Sequence, residues 1–392
     1  MVINELISRN VTEVIDVKHL EAVLRGGKKL RVKLGIDPSK PDLHIGHAVP
    51  LQKLRSFQES GHTAILLFGD YTAQLGDPSD KVETRDLLSI AETRANAKAY
   101  LKQVGQVLDL KRIEVRYNSE WYNSLSMRET IILLSKVSLN HLMSHETFVN
   151  RLNKSQPLLT HEIIYPIMQG YDSVMLKADL ELGGQDQKFN CLMGRFMQRA
   201  YNQPEQDVML FPYLHGTDGQ QKMSKSLGNT INLADKSIDM YGKTMSIPDE
   251  LIIEYFQLTT HLPSETIQTI QKELADSATN PRDVKMQLAR EITSIYHGIA
   301  SATKAEETFI TQFQKGQIPD TMPEKKLKAS YKTVVAALID SGLVESASEA
   351  RRLVEQGGVR FDGKVMNDPL SPIRIKKGQL IQVGKRRFVK AR

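Results

Sequence analysis

The sequence predicts an α/β protein with a doubly wound parallel sheet, followed by an α-helical domain and a small α+β domain. Over the first two hundred or so residues, short apolar runs alternate with longer amphipathic stretches, the pattern of parallel strands joined by crossover helices. After about residue 228 helical periodicity replaces the strand signals. The last 68 residues carry 16 Lys and Arg against 6 Asp and Glu, which marks them as a separate basic module.

The first domain is predicted over residues 1–228. Its strands are expected at 30–36, 62–68, 113–117, 178–182 and 208–211. Pro38 and Pro41 end the first strand before a helix that begins near Ile45, and further helices are expected at about 84–103, 128–150, 160–176 and 186–200.

The helical domain is predicted over 229–318, with helices at 235–246, 249–258, 263–276, 281–298 and 301–315. Pro248, Pro263 and Pro281 lie where helices can start. A proline-containing linker is expected at 319–328. The last domain, 329–392, is predicted to contain helices at 331–342 and 346–356 and strands at 359–365 and 379–385.

Composition excludes several classes of protein. The chain has 392 residues, of which 25% are charged and 40% hydrophobic, so collagen-like and wholly disordered chains are excluded. A single cysteine, Cys191, leaves no intrachain disulfide and no thiolate set for zinc, which indicates a reducing compartment. No secretory signal or membrane-spanning run is visible, so we expect a cytoplasmic protein.

The first chemical signal is His44-Ile-Gly46-His47, between the first predicted strand and its helix. Ligands of open α/β sheets bind at that place, and the free N–H groups of a helix start attract phosphate. The histidines share one face of the first turn, and Gly46 lets a flat base or ribose approach the backbone. Two surface histidines near a helix start would show the same spacing.

The second signal is Lys222-Met223-Ser-Lys225-Ser in a Gly-flanked stretch from 216 to 228. Two ammonium groups on such a loop suit an anionic transition state, because they can close on departing phosphates. A solvated basic loop is the alternative. The two motifs in this order, about 175 residues apart, are far more specific than either alone.

Together these motifs resemble the two signatures of class I aminoacyl-tRNA synthetases, and the intervening segments resemble the bacterial tyrosyl-tRNA synthetases over essentially the whole chain. The resemblance implies a Rossmann-like catalytic domain that converts tyrosine and ATP to tyrosyl-adenylate and pyrophosphate, then transfers tyrosine to the 3′ end of tRNA(Tyr). It implies four catalytic groups, His44, His47, Lys222 and Lys225. ATP would bring Mg²⁺ with its phosphates, and neither a protein metal site nor structural zinc is expected.

The stretch 165–172 resembles the tyrosine-binding helix of that family. Its Tyr, Gln and Asp recur at i, i+4 and i+7, on one helical face. Core packing also produces such stripes, but a buried Gln and Asp are costly without polar partners. By resemblance, Tyr165 and Gln169 hold the substrate amino group and Asp172 accepts the phenol hydrogen bond. The other implied tyrosine-binding residues are Asp77, Thr72 and Gln187.

The remaining implied contacts concern ATP and tRNA. By resemblance, the ATP-binding residues are Asp37, Pro38, Gly46, Gly184, Asp186, Met223 and Lys225. The basic module resembles an S4 RNA-binding domain, with a basic stabilising tail as the alternative. Its implied tRNA contacts are Arg351, Arg352, Arg360 and Lys364, with Lys376, Lys377 and Arg386 as additions.

One position departs from the family pattern. Well-known members carry a tyrosine in the first strand that shares the substrate phenol with the aspartate, whereas this chain has Lys33. The second phenol contact and the role of Lys33 are therefore unassigned.

Two other functions would share some of these features. Tryptophanyl-tRNA synthetases have the same motifs but lack the S4 domain and the stripe at 165–172. An RNA-binding protein could have kept the fold without catalysis, although both His and both Lys are present. The segment of about 118–160 resembles the family's dimerisation insertion, so a homodimer is expected.

Overall fold

A computed structural model describes residues 3–78, 88–311, 323–344, 346–384 and 387–392. It divides into two compact units, Met1–Thr303 and Lys304–Arg392. The predicted α/β class is confirmed, with a mostly parallel sheet and helices in the first unit and a small α+β second unit. The finer division at residues 228, 318 and 328 stays a prediction, and part of the expected linker lies outside the described residues.

The sheet of the first unit consists of β1 (Glu13–Ile15), β2 (Arg31–Ile36), β3 (Thr63–Phe68), β4 (Ile113–Tyr117), β5 (Leu180–Gly184) and β6 (Asp207–Phe211). Their spatial order is β1-β6-β5-β2-β3-β4, and all neighbours are parallel except β1, which is antiparallel to β6. The chain adds β3 and β4 on one side of β2 but β5 on the other, so the order reverses between β2 and β5. Ligands of open α/β sheets bind at such a point.

The helices before the second motif are α1 (Ile3–Ser8), α2 (Val17–Arg25), α3 (Ile45–Glu59), α4 (Thr72–Leu75), α5 (Ile90–Val104), α6 (Ser119–Tyr122), α7 (Met127–Leu134), α8 (Leu139–Leu142), α9 (Glu146–Asn153), α10 (Thr160–Leu176) and α11 (Lys188–Ala200). They cover both faces of the sheet, because alternate side chains of β3 pack against different helices. Leu66 and Phe68 belong to the core cluster that contains α3 and α5, whereas Ile65 and Leu67 belong to a cluster with α6 and α10.

Three local expectations were wrong in detail. The single helix expected over 128–150 is three helices, α7 to α9, because Ser126, Ser138 and His145 each accept a backbone N–H and start a new helix. Ser89 caps α5 in the same way, so that helix begins at Ile90; residues 84–87 of the expected helix lie outside the described residues. The strand β1 was not predicted, because three residues are too few to show alternation.

The helices after the second motif are α12 (Ser237–Met245), α13 (Ile252–Thr259), α14 (Ser264–Ala275), α15 (Pro281–His297) and α16 (Ile299–Phe309). The first four follow the predicted segments closely; α16 begins two residues before the helix expected at 301–315, of which residues 312–315 lie outside the described residues. Asn280 caps α15 and Pro281 occupies its first turn, where a missing N–H costs nothing. Tyr255 and Phe256 of α13 and Leu288 of α15 are fully buried in the cluster that contains β2 and α3.

The second unit contains β7 (Glu324–Lys325), β8 (Ser330–Tyr331), α17 (Val334–Ser341), α18 (Ala347–Glu355), β9 (Val359–Phe361), β10 (Lys364–Val365), β11 (Ile373–Arg374), β12 (Leu380–Val383) and β13 (Arg387–Ala391). The strand expected at 359–365 is a hairpin, since Asp362 and Gly363 both adopt positive φ, as a two-residue turn requires. Val334 and Leu338 of α17 pack with Ile381 of β12 in this unit's own core.

Gly170 provides a test of the packing between α10 and α11. A Cβ at this position would lie 2.9 Å from the Met193 carbonyl oxygen and from the Met193 and Met197 side chains. Because one of these atoms is backbone, Gly170→Ala must push the helices apart, and we expect a loss of about 1–3 kcal/mol in the free energy of unfolding. Chemical denaturation measures it.

Gly242 supplies the matched control. It is also helical, in α12, but a Cβ there would meet no atom within 4 Å. Gly242→Ala should therefore stabilise the protein by about 0.5–1 kcal/mol. Equal effects of the two substitutions would contradict the close packing of α10 on α11.

Candidate active site

A cavity of about 440 Å³ opens at the carboxyl ends of β2 and β5, where the strand order reverses. It brings together residues from both sequence motifs and from the stripe on α10. Pro38 does not line it; the carbonyl of Pro38 instead accepts a hydrogen bond from Asn96. The predicted site residues that line it are Asp37, His44, Gly46, His47, Thr72, Asp77, Tyr165, Gln169, Asp172, Gly184, Asp186, Gln187, Lys222, Met223 and Lys225.

One end of the cavity is formed by the stripe on α10. The Tyr165 hydroxyl donates to Asp37 Oδ2 at 2.9 Å, and Gln169 Nε2 donates to Glu181 Oε1 at 3.3 Å. Asp172 is buried and accepts a hydrogen bond from the indole N–H of Trp121 at 3.0 Å. All three side chains of the stripe therefore have polar partners, which the cost of burying them requires.

The carboxylate of Asp172 is a buried hydrogen-bond acceptor. Burial raises its pKa to about 7, opposed by the charge of Lys33 and by hydrogen bonds from Asn118 and Trp121. The Asn118 amide lies 3.4 Å from Asp172 Oδ2 and donates to the Thr72 hydroxyl at 3.0 Å. A substrate hydroxyl directed at this carboxylate would meet an acceptor that water does not compete for.

Two more carboxylates lie at the same end. Asp37 accepts hydrogen bonds from the Thr72 hydroxyl at 2.8 Å and from Tyr165, and Asp77 accepts one from Gln187 Nε2 at 2.6 Å. Burial raises the pKa of Asp37 to about 7, and the nearby charge of Asp77 adds to the rise. A cationic ammonium group would complement these carboxylates.

The first motif begins α3, with its histidine rings 3.8 Å apart between centroids. His44 is buried, and burial, followed by the charges of His47, Lys225 and Lys222, holds its pKa well below the ordinary value. Its Nδ1 has no hydrogen-bond partner among the described residues. A Cβ on Gly46 would lie 3.0 Å from that atom, so glycine is what lets the His44 ring fold over the helix start.

The second motif is held by its flanks. Met223 donates its N–H to the Leu214 carbonyl at 2.8 Å, and Ser224 donates to the Asn229 side chain at 2.8 Å. The Lys222 ammonium lies 3.3 Å from Asp186 Oδ2, at the end of β5. These contacts fix the loop at the cavity, which both of its lysines line together with Asp172.

Lys225 is the most unusual cation of the cavity. Its ammonium is buried, lies 5.4 Å from the ring centre of Tyr100 and has no hydrogen-bond partner in the part of the chain that the structure describes. Burial lowers its pKa to about 8, with Lys40 adding to the effect and Asp42 opposing it. A desolvated cation beside an open cavity favours an anionic ligand.

Several residues of the site were not predicted from the sequence. Asn118 and Trp121 hold Asp172, Tyr100 faces Lys225, and Glu181 holds Gln169. The position of Asn118 immediately after a predicted strand was a usable signal. Trp121 was assigned to the dimerisation insertion, but it is buried against α10 of its own chain.

The predicted tRNA contacts lie in the second unit and are all exposed. Arg351 and Arg352 lie on α18, Arg360 on β9 and Lys364 on β10. Lys376 and Lys377 are also exposed, whereas Arg386 lies outside the described residues.

Within the described residues, no three His, Cys, Asp or Glu side chains lie close enough to hold a metal ion. Nor does that part of the chain contain a helix long and apolar enough to cross a membrane.

Comparison with solved structures supports the fold. The chain superposes on a truncated mitochondrial tyrosyl-tRNA synthetase of Coccidioides posadasii with a TM-score of 0.61 at 24% identity, covering 78% of this chain and 90% of that one. A tryptophanyl-tRNA synthetase of Plasmodium falciparum gives 0.59 at 15% identity, covering 76% and 82%. At these identities the likeness concerns the fold alone.

Comparison with families and curated proteins is more specific. The family model of class I tRNA synthetases (W and Y) matches residues 25–314, and that of the S4 domain matches residues 336–376. The chain is 46% identical over 389 residues to a tyrosine–tRNA ligase of Moorella thermoacetica, covering 98% of this chain and 94% of that one. It is also 46% identical to the one of Thermotoga maritima, covering 98% and 96%. The chain therefore belongs to the class I tRNA synthetases of the W and Y group, in which it matches bacterial tyrosine–tRNA ligases over almost its whole length.

Proposed function

We propose that the chain is a tyrosine–tRNA ligase, which activates L-tyrosine with ATP, releases pyrophosphate and transfers tyrosine to the 3′ end of tRNA(Tyr). One observation carries the proposal beyond the names of the relatives. The residues that line a single cavity include a buried acceptor, Asp172, and two lysines, Lys222 and Lys225. An acceptor suits a phenol, and the ammonium groups suit a polyphosphate.

At the amino-acid end, each polar group of tyrosine has a complement. The phenol donates to Asp172, whose orientation Trp121 fixes from behind. The ammonium group lies among the carboxylates of Asp37 and Asp77 and the side chains of Tyr165 and Gln169. Thr72 and Gln187 hold those carboxylates in place. The tyrosine carboxylate is then directed toward the centre of the cavity.

At the phosphate end, the chain positions and neutralises charge. A tyrosine carboxylate oxygen attacks the α-phosphorus of ATP, a new P–O bond forms, and the bond to the departing pyrophosphate breaks. His44 and His47 contact the α-phosphate, and Lys222 and Lys225 the leaving phosphates, so no covalent enzyme intermediate is needed. Mg²⁺ arrives as part of the substrate and neutralises phosphate charge.

ATP also needs an adenosine site. Gly46 lets the base approach the start of α3, and Gly184 with Asp186 contacts the ribose at the end of β5. In this structure one oxygen of Asp186 pairs with Lys222, and the carboxylate keeps acceptor sites for a ribose hydroxyl. Asp37, Pro38 and Met223 complete the proposed ATP contacts; Pro38 contributes from outside the cavity lining.

The partners follow from two surfaces. The exposed cations Arg351, Arg352, Arg360 and Lys364 contact tRNA phosphates. Large apolar side chains are exposed on α7 to α9, among them Met127 at 76%, Ile131 at 59% and Leu139 at 62%. We propose that a second copy of the chain covers them, because apolar patches of this kind mark interfaces. A cytoplasmic location accords with this function and stays a prediction.

The experiment that tests the function is amino-acid-dependent exchange of radioactive pyrophosphate into ATP. Tyrosine should support rapid exchange, because adenylate formation is reversible, whereas tryptophan and phenylalanine should support very little. Exchange with tryptophan alone would assign the chain to the other branch of the group. Binding of tRNA without exchange for any amino acid would indicate a fold that has lost catalysis.

Lys225 should act on the transition state rather than on amino-acid binding. Lys225→Ala removes the desolvated ammonium next to the leaving phosphates, and we expect the exchange rate to fall by about 10²–10³. The dissociation constant of tyrosine, from calorimetry, should change little. Lys98→Ala, an exposed lysine on α5, is the control and should keep the wild-type rate; an equal rate for Lys225→Ala would remove it from the mechanism.

Asp172 should decide between tyrosine and phenylalanine. With Asp172→Ala the phenol loses a hydrogen bond to a charged group, worth about 1.5–3 kcal/mol, so the ratio of kcat/KM for the two amino acids should fall at least about 10-fold. Steady-state exchange kinetics give that ratio. The KM for ATP is the internal control and should stay constant, and a preserved preference for tyrosine would mean that the phenol is recognised elsewhere.

A further inference from the structure

A buried ion pair lies beneath the amino-acid end of the cavity, and the proposed function gives it no role. Lys33 of β2 and Glu181 of β5 are direct neighbours in the sheet. The Lys33 Nζ lies 2.8 Å from Glu181 Oε1, and the side chains are 0% and 2% exposed. Burying two charges costs as much as their attraction returns, so packing alone would be served as well by apolar side chains.

The ammonium of Lys33 is directed at α10. Besides Glu181, it donates to the Ser173 hydroxyl at 2.9 Å and to the main-chain carbonyl of Gln169 at 3.2 Å. Its three N–H bonds therefore have three acceptors, and two of these belong to the helix that carries Tyr165 and Asp172. Lys33 ties the middle of this helix to the centre of the sheet.

The carboxylate of Glu181 controls the side chain of Gln169. Glu181 accepts hydrogen bonds from Gln169 Nε2 at 3.3 Å, from the Ser173 hydroxyl at 3.1 Å and from Gln206 Nε2. An ionised carboxylate only accepts, so it selects the nitrogen of the Gln169 amide and repels its oxygen. The oxygen is then left for the cavity, where a substrate ammonium group needs an acceptor.

Charges from several elements face Asp172. Lys33 approaches from β2, and Trp121 of α6 and Asn118 donate hydrogen bonds, while the nearby Tyr122 hydroxyl donates to the Met168 carbonyl. Asp37 interacts with Asp172 as a like charge from the end of β2, and both Asp77 and Asp172 act on Tyr165. Burial raises the pKa of Asp172 to about 7, and the charge of Lys33 is the first influence that opposes it. Without that charge the carboxyl would take up a proton at a higher pH.

We propose that Lys33 and Glu181 are a positioning pair for the selection of tyrosine: Glu181 fixes the amide of Gln169 with its oxygen toward the substrate ammonium group, and Lys33 holds the helix that carries Asp172 against the sheet, so that this carboxylate meets the phenol. The proposal rests on the proposed function, because it concerns the same substrate. Both residues border the cavity that is proposed to hold tyrosine. The pair acts through Gln169 and Asp172, at the point where the strand order reverses.

The test uses the full chain with both charges removed. Lys33→Met alone would leave Glu181 as an uncompensated buried charge, so the main variant is Lys33→Met with Glu181→Gln, which keeps both shapes. We expect it to fold, to raise the KM for tyrosine about 10-fold or more, and to lower the kcat/KM ratio of tyrosine to phenylalanine by a similar factor. The KM for ATP and the midpoint of thermal unfolding should stay near wild-type values.

The pH profile separates positioning from a structural role. Asp172 must be ionised to accept the phenol, so wild-type kcat/KM for tyrosine should fall as the pH drops through about 7. In the double variant this acidic limb should move to higher pH. Glu181→Gln alone should raise the KM for tyrosine, because it releases the Gln169 amide. Since this variant keeps Lys33, the acidic limb of its pH profile should not move to higher pH.

Arg151 and Glu162 provide a matched control. They form another buried ion pair, 2.6 Å apart, which ends on α10 but does not line the cavity. Arg151→Met with Glu162→Gln should leave the ratio of tyrosine to phenylalanine and the acidic limb unchanged.

Specific outcomes overturn the proposal. It fails if the folded double variant keeps the wild-type tyrosine KM, selectivity and acidic limb, or loses tyrosine and ATP binding equally. Should the double variant not fold, Glu181→Gln alone decides, because the Lys33 ammonium keeps the Ser173 hydroxyl and the Gln169 carbonyl as acceptors and the new amide oxygen can replace the carboxylate. An unchanged tyrosine KM in that variant contradicts the role of Glu181. Tyrosine-dependent exchange of the wild-type chain is measured before that of any variant. Its absence would contradict the proposed function itself.

Discussion

Backbone hydrogen bonds between two distant segments are the constraint on which the site depends. Ile45 donates its N–H to the Ile231 carbonyl at 2.9 Å, and Leu233 donates to the Leu43 carbonyl at 2.8 Å. Leu43 and Ile45 lie on either side of His44 at the start of α3, and Ile231 and Leu233 follow closely after the Lys222 motif. The two motifs, remote in sequence, thus become neighbours in one cavity, brought together by main-chain hydrogen bonds rather than by flexible side chains.

The cavity is lined by acidic and by basic groups. Buried carboxylates gather at one end, and a desolvated ammonium with a histidine that burial keeps neutral lies at the other. A low-dielectric interior strengthens interactions with a substrate of matching charge, and it makes the same groups costly while they are unpaired. Trp121, Asn118 and Thr72 therefore serve to hold acceptors in place until the substrate arrives.

Periodicity was enough for the parallel strands and the helical region, because strands and helix starts have local sequence signals, whereas most residues that line the cavity came from the resemblance to the tyrosyl-tRNA synthetases. The partition of 128–150 into three helices depended on caps at Ser126 and Ser138, which compete with the longer apolar pattern. Asn118 follows a predicted strand, but Trp121 could not be predicted as a partner of Asp172, since it reaches that residue only through the packing of α6 on α10. Lys33 is the clearest case. The sequence shows that it replaces the tyrosine of well-known family members, but its role depends on Glu181, which the sheet register places beside it.

A crystal structure with tyrosine and an unreactive ATP analogue tests the central claim most directly, namely that one cavity holds both substrates between the two motifs. The account predicts the phenol within hydrogen-bond distance of Asp172, the ammonium group beside Asp37, Asp77 and the Gln169 oxygen, and the phosphates between the histidines of α3 and Lys225. A phenol bound elsewhere, or phosphates that contact neither motif, would contradict it.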